Sequence, residues 1–138
     1  MHAWDFAPVL ANADLLLLGL VNTLKVTGTA LVFGIPLGLV LALMRLSSRR
    51  WLRLPAGFVI EVFRTTPPLV QLFWFFFALP ILIQVEMTAF VAASLTFSIQ
   101  SAAFFAEVFR GGIVSIERGQ WEAARAIGMG PRQTLRRI

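Results

Sequence analysis

Three long apolar stretches separated by short polar segments dominate the pattern of this chain. They cover residues 26–44, 65–85 and 87–106, and none of them contains a charged residue. A helix needs about 20 mostly apolar residues to cross a bilayer, and each stretch is close to that length. Glu86 alone separates the last two, which predicts a tight helical hairpin. The pattern therefore predicts an all-α membrane protein with three transmembrane helices.

The charges between these stretches predict an orientation. Residues 1–24 contain acidic side chains but no lysine or arginine, and the hairpin turn contains only Glu86. Arginines follow the first and third stretches, at Arg45, Arg49, Arg50, Arg53, Arg110, Arg118, Arg125, Arg132, Arg136 and Arg137. Basic residues are retained on the cytoplasmic side of membranes. Residues 1–24 are thus predicted to be external or interfacial, and residues 111–138 to form a cytoplasmic loop.

Composition narrows the classes of function. The 138 residues are 58% hydrophobic and 14% charged, whereas soluble domains are about a quarter charged. The net charge of +5 is explained by membrane topology, so no nucleic-acid partner is expected. The chain has no cysteine and one histidine, so we expect no metal site and no cofactor. It also lacks a phosphate-binding loop and a set of catalytic residues, so we expect no enzyme activity.

The segment from Gly119 to Gly128 predicts a short helix in the cytoplasmic loop. Glu122 stands near its start, where the helix dipole favours a carboxylate. Trp121, Ala124 and Gly128 recur at helical spacing, giving a narrow face with one large anchor for a partner protein. The alternative is a basic amphipathic loop that lies on lipid headgroups.

The same segment resembles a known motif. The Glu-Ala-Ala triplet at 122–124, with Gly128 and Ile138 after it, resembles the EAA loop of permease subunits of ABC importers. Residues 23–27, 61–71 and 106–113 resemble the branch of that family that imports polar amino acids such as histidine, glutamine, arginine and glutamate. Thr65 departs from the glycine expected there. The resemblance implies a permease domain over 1–138 that is C-terminally incomplete, with the first three of the usual five spans.

The resemblance also implies partners and a location. An ABC ATP-binding subunit would dock on Gly119, Trp121, Glu122, Ala123, Ala124 and Gly128. A second permease subunit, identical or related, would complete the path, and an extracytoplasmic solute-binding protein would deliver a polar amino acid. The chain would cross the bacterial inner membrane several times, with its N-terminus outside and residue 138 in the cytoplasm. ATP would be hydrolysed by the partner.

The tetrapeptide Glu-Val-Phe-Arg occurs twice, at 61–64 and 107–110. In each copy the Glu and Arg are three residues apart and share one helix face. Intrahelical ion pairs Glu61–Arg64 and Glu107–Arg110 would anchor the helices at the inner interface. The alternative is a charged inner gate that exchanges pairs between helices.

Polar side chains within the apolar stretches are candidates for a translocation path, namely Gln71, Ser98, Gln100 and Ser101. An amino acid needs such groups along a water-lined cavity, but serine also serves in ordinary helix packing. Gly34 and Gly38 form a small-xxx-small pair that suits a packing face.

Two other classes of function stay open at the level of sequence. The chain could be a non-transporting membrane scaffold or assembly subunit, which needs the bundle but no ATPase. It could also be a membrane enzyme subunit, which would need a cofactor because the chain lacks plausible catalytic residues.

Overall fold

The computed structural model describes residues 11–130, 133, 134 and 137, and these residues contain helices and no strand. The elements are α1 (Ala13–Leu46), α2 (Arg50–Thr65), α3 (Pro68–Phe73), a π-helical segment (Trp74–Ala78), α4 (Leu79–Ile83), α5 (Ala89–Val114) and α6 (Arg118–Ala126). The predicted all-α class is confirmed. Residues 1–10 of the predicted external segment lie outside the described residues, as do 131, 132, 135, 136 and 138 of the predicted cytoplasmic loop.

Two helices are each long and apolar enough to cross a membrane. These are α1 and α5, with mean hydropathies of 2.1 and 1.5. The first predicted stretch, 26–44, lies inside α1, and residues 13–24 continue the same helix without a break. The third stretch, 87–106, overlaps α5, which extends further to Val114.

The second predicted stretch, 65–85, contains a sharp bend. It starts at the last residue of α2, and the chain then turns by 105° before the run Pro68–Ile83. By length and composition, α2 and this run count as a third span only when taken together. Residues 50–64 form most of α2, although the sequence pattern predicts helix only for the tetrapeptide at 61–64, and α2 buries Ala56, Gly57 and Ile60 along one face.

Proline chemistry and one glutamine explain the bend. Pro67 has no N–H, so the carbonyl of Phe63 loses the partner that a continuing helix would give it. The side-chain Nε2 of Gln71 replaces that donor, at 3.0 Å from the Phe63 oxygen and 2.9 Å from the Thr66 oxygen. Pro68 then opens α3, where a proline suits the first turn. Gln71 thus joins the two sides of the break.

The longest interface, between α1 and α5, depends on small residues. Ala30, Gly34, Gly38 and Ala42 are the buried residues of α1 and recur every four positions. A Cβ placed on Gly38 would lie 2.7 Å from Cβ of Phe105, and one on Gly34 would lie 2.9 Å from Cβ of Ser101. The two backbones approach so closely only because these positions lack a side chain, as is typical of helix pairs in lipid.

A small apolar core forms where α2 meets this pair. Ala42 of α1, Ile60 of α2 and Ala106 of α5 are buried against one another, with Leu41 and Phe109 packed around them. The core lies toward the arginine-rich ends of the helices. It holds α2 across the end of the α1–α5 pair and positions the charged side chains described below.

Candidate functional site

The helix α6 has a well-defined end. The N–H of Gly128 donates to the carbonyl of Arg125 at 3.0 Å, and the N–H of Met129 donates to the carbonyl of Ala124 at 3.0 Å. Gly128 has φ +77°, which a residue without Cβ adopts at no steric cost. Together these features form a Schellman motif, which satisfies carbonyls of the last turn. Gly128 therefore ends the helix, as its position in the sequence predicts.

The helix α6 starts one residue before the predicted segment. It begins at Arg118, after Glu117 in an extended conformation, so Gly119 lies inside the first turn. Position 119 has open space around it, since a Cβ built there would meet no atom within 4 Å. No close neighbour explains why position 119 lacks a side chain. The glycine leaves the backbone of α6 accessible on this side.

The six predicted docking residues divide between two sides of α6. Ala124 is buried at 5% exposure and Trp121 is half-buried, whereas Glu122 and Ala123 are exposed. Gly119 and Gly128 are exposed as well. Trp121 and Ala124, which the sequence pattern placed together on the docking face, thus share the less accessible side.

An exposed surface remains on the opposite side of α6. It consists of Gly119, Glu122, Ala123 and Ala126, which we call the free face. At 100° per residue these four positions fall within one sector of the helix. Three have small or no side chains, so a partner can approach the backbone, and Glu122 adds one negative charge. The helix packs only lightly against the other described helices, so the free face is open to a partner.

The second copy of Glu-Val-Phe-Arg forms an ion cluster. Glu107 Oε2 accepts from Arg110 Nε at 2.9 Å and lies 2.8 Å from Arg110 Nη2. Its other oxygen, Oε1, lies 3.5 Å from Nε of Arg45 in the last turn of α1. The Glu107 side chain is 19% exposed. The carboxylate therefore binds one arginine of its own helix and one of a neighbouring helix.

The first copy behaves differently. Glu61 and Arg64 are exposed on α2, and in the part of the chain that the structure describes no cation lies within 4 Å of the Glu61 carboxylate. The guanidinium carbon of Arg64 instead lies 5.6 Å from the centroid of the Phe104 ring on α5, a cation–π distance. The two tetrapeptides thus link their helices to α5 or α1 by different contacts.

Sequence reasoning missed Arg45 as the second partner of Glu107. From the sequence, Arg45 stands out only as one of the ten arginines that predict the orientation. Its guanidinium extends over Gly57 of α2, where an added Cβ would collide with Nη1. A glycine at this position therefore gives Arg45 its route to Glu107. The available signal was a glycine inside an amphipathic helix next to an arginine-rich turn.

Two of the predicted path residues face another helix. Ser98 is buried, and its hydroxyl lies 3.5 Å from the carbonyl oxygen of Thr29 on α1. Ser101 packs its Cβ toward Gly34. The hydroxyl oxygens of Thr29 and Ser94 also lie 3.2 Å apart, within hydrogen-bond distance. The serine face of α5 thus serves the α1–α5 interface, and Ser101 additionally borders a cleft of about 470 Å³ with Asn22 and Thr27.

The two predicted glutamines have buried oxygens that lack partners among the described residues. Oε1 of Gln71 and Oε1 of Gln100 accept no hydrogen bond there. The amide N–H groups of Gln71 donate to the carbonyls at the bend, whereas Gln100 borders a cleft of about 230 Å³ together with Ser101 and Phe104. The structure therefore brings Gln100 and Ser101 to one cleft, whereas Ser98 contacts α1, and Gln71 both joins the bend and lines a separate cleft of about 260 Å³.

Comparisons with known proteins agree with this architecture. A glutamine transport system permease of Rickettsia bellii, so named on a provisional basis, is 42% identical over 80% of this chain and 51% of its own length. A glutamate/aspartate import permease of Escherichia coli O6:H1 is 38% identical, over the whole of this chain and 65% of its own. The chain thus spans about half to two-thirds of these relatives.

A solved structure and a family profile extend the comparison. The crystal structure of an amino acid ABC transporter with histidines superimposes with a TM-score of 0.86 at 37% identity, over 98% of this chain and 63% of that one. Residues 34–138 match the profile of the binding-protein-dependent transport system inner membrane components. The chain belongs to this family of inner membrane transport components.

Proposed function

We propose that the protein is a permease subunit of an ATP-driven importer of polar amino acids. Family membership and the relatives named for glutamine and glutamate/aspartate transport support the transport role and the class of substrate. The single observation that carries the proposal for this chain is the free face of α6. This face is exposed and has mostly small side chains, and its helix has a well-defined end at Gly128. A transport component without its own phosphate-binding loop needs such a surface, on which a separate ATPase subunit can bind and drive its conformational change.

The orientation follows from the arginine-rich ends of the helices. Arg45 lies in the last turn of α1, Arg50 begins α2, and Arg110 lies near the end of α5, so these basic residues gather at one end of the bundle. Positive residues remain in the cytoplasm, so that end and α6 face the cytoplasm. Glu86, in the turn between α4 and α5, faces outward.

Thiol labelling tests this orientation, because the chain contains no cysteine of its own. A membrane-impermeant maleimide added to intact spheroplasts should label the variant Glu86→Cys and leave Ser115→Cys unlabelled until the membrane is opened. Both positions are exposed in the structure. Labelling of Ser115→Cys in sealed spheroplasts, with Glu86→Cys protected, would reverse the proposed topology.

Coupling would act through the free face. An ABC ATP-binding subunit would hold α6 in a groove, and its ATP cycle would shift the permease between inward-open and outward-open states. A second permease subunit and an extracytoplasmic solute-binding protein would complete the importer. The amino acid would pass near Gln100 and Ser101, the two predicted path residues that share a cleft.

Co-purification with the ATP-binding subunit tests the docking. Glu122→Lys reverses a charge on the free face, and Glu117→Lys makes the same change just outside the helix. We expect Glu122→Lys to lose most of the bound ATPase and Glu117→Lys to keep it. Equal retention by both variants would refute docking on the free face and favour the scaffold alternative, which needs no ATPase.

A further inference from the structure

A basic cleft opens beside the ion cluster, at the arginine-rich end of the bundle. It has a volume of about 590 Å³ and lies between the end of α1, the exposed part of α2 and the end of α5. Arg45, Arg53 and Arg110 line it. Since Glu107 is the one carboxylate that the structure pairs with these arginines among the described residues, three positive charges against one negative leave a net charge of +2.

One arginine of the cleft is uncommitted. Arg45 and Arg110 both contact Glu107, whereas Arg53 is exposed and makes no ion pair within the described part of the chain. Arginine presents a planar fork of N–H donors that matches phosphate geometry. Arg53 therefore provides a free phosphate-binding group, and its two neighbours hold the local potential positive.

The rim of the cleft is apolar. Leu54 and Phe58 line it and are 67% and 71% exposed. A soluble anion in the cleft would leave these side chains uncovered, whereas a phospholipid would lay its acyl chains against them. Charge and apolar area are thus adjacent, as an amphiphile with an anionic head requires.

The position of the cleft along the helices also favours a phospholipid. Arg45 follows directly on the apolar residues of α1, so it stands where the hydrocarbon region ends. Basic pockets between membrane helices on the cytoplasmic side are suited to acidic lipid headgroups. We propose that this cleft binds the headgroup phosphate of an anionic phospholipid from the inner leaflet, with Arg53 as the main contact. The site is separate from the ATPase-docking and transport roles proposed above.

Native mass spectrometry of the detergent-purified protein tests the proposal, with phosphatidylglycerol and phosphatidylcholine as probes. Arg53→Gln should weaken phosphatidylglycerol binding about fivefold, the usual effect of one basic residue beside acidic lipid. Arg49→Gln is the matched control, because it removes the same charge from the same segment without lining the cleft. We expect it to weaken binding less than Arg53→Gln does, because its side chain does not line the cleft and loses only longer-range attraction to the headgroup. Arg53→Lys, which keeps the charge, should retain most of the binding.

Four results would overturn the proposal. Equal losses in Arg53→Gln and Arg49→Gln would indicate general surface attraction and no site. Equal binding of phosphatidylcholine would exclude recognition of the anionic head. Displacement of phosphatidylglycerol by millimolar inorganic phosphate would assign the cleft to a soluble anion. Unchanged lipid binding in Arg53→Gln, with loss of the ATP-binding subunit, would assign it to an acidic protein segment. Because lipid binding is measured on the purified chain, the result does not depend on the proposed transport function.

Discussion

Nε of Arg45, in the last turn of α1, lies 3.5 Å from Oε1 of Glu107 on α5. This contact joins the two longest helices just beside their shared core, and the guanidinium reaches it by extending over Gly57 of α2. The Glu107 carboxylate thereby holds the ends of α1 and α5 together, through an arginine side chain that passes over Gly57 of α2. Because Oε2 of Glu107 is bound to Arg110, this ion cluster spans helices.

The cluster predicts a coupling between Arg45 and Glu107. In a double-mutant cycle with Arg45→Gln and Glu107→Gln, we expect an interaction of about 0.5–1 kcal/mol in the free energy of unfolding, the range for partly exposed pairs. The cycle Glu61→Gln with Arg64→Gln is the control, because these residues form no ion pair in the described structure. Equal coupling in the two cycles, measured by denaturation in detergent, would contradict the observed difference between the tetrapeptides.

The small-residue interface predicts opposite effects for two glycines of α1. Gly38→Ala places a methyl group 2.7 Å from Cβ of Phe105 and 2.9 Å from the carbonyl oxygen of Ala102, so the helices must separate. We expect a loss of about 1–3 kcal/mol in the free energy of unfolding. Gly28→Ala meets nothing within 4 Å and should be neutral or stabilising, because alanine favours helix. The same destabilisation in both variants would contradict close packing at Gly38.

The bend predicts a structural role for Gln71. Gln71→Glu replaces the donor to the carbonyls of Phe63 and Thr66 with a second acceptor, so we expect a loss of about 1–3 kcal/mol or more. Gln84→Glu makes the same chemical change in the exposed turn before α5 and should have little effect on the unfolding free energy. If Gln71→Glu abolishes transport but leaves stability unchanged, Gln71 belongs to the path and not to the bend.

The end of α6 predicts a conformational cost at Gly128. Gly128→Ala forces a side chain into the left-handed region at φ +77°, which costs about 1–2 kcal/mol. Amide hydrogen exchange at residues 128 and 129 should accelerate, since the Schellman hydrogen bonds weaken. Gly130→Ala is the control, because Gly130 has no positive φ, and its exchange should stay close to that of the parent protein. Unchanged exchange in Gly128→Ala would show that the motif does not depend on glycine.

Much of the fold could be predicted because local signals and global structure agree. The apolar runs around Gly34 and Ser98 predict helices that a bilayer accommodates, and Gly128 predicts the end of α6. The 105° bend was missed, although Thr66, Pro67 and Pro68 carry its signal, because a count of apolar residues does not register a missing N–H. The extent of α2 was missed for a related reason. Its charged residues prevent the segment around Ile60 from being counted as an apolar stretch, although Ile60 itself is buried.

The site was predicted less completely, because contacts between helices depend on register. The sequence pattern identified the residues of α6 and grouped Trp121 with Ala124, but it did not show that these two lie on the less accessible side of the helix. Similarly, the repeat at 107–110 predicts its internal ion pair, but nothing local shows that Arg45 joins it. The contact between Arg45 and Glu107 depends on how closely α1 and α5 approach each other. The missing side chain at Gly38 permits that close approach.

Photo-crosslinking from the free face of α6 tests the central claim most directly. In the cysteine-free chain, Ala123→Cys presents one thiol on that face for a benzophenone maleimide, and Glu86→Cys presents one at the opposite end of the bundle. Illumination of the assembled membrane complex should join Ala123→Cys, and not Glu86→Cys, to the ATP-binding subunit. Attachment of Ala123→Cys to lipid alone, or equal crosslinking from both positions, would contradict the account.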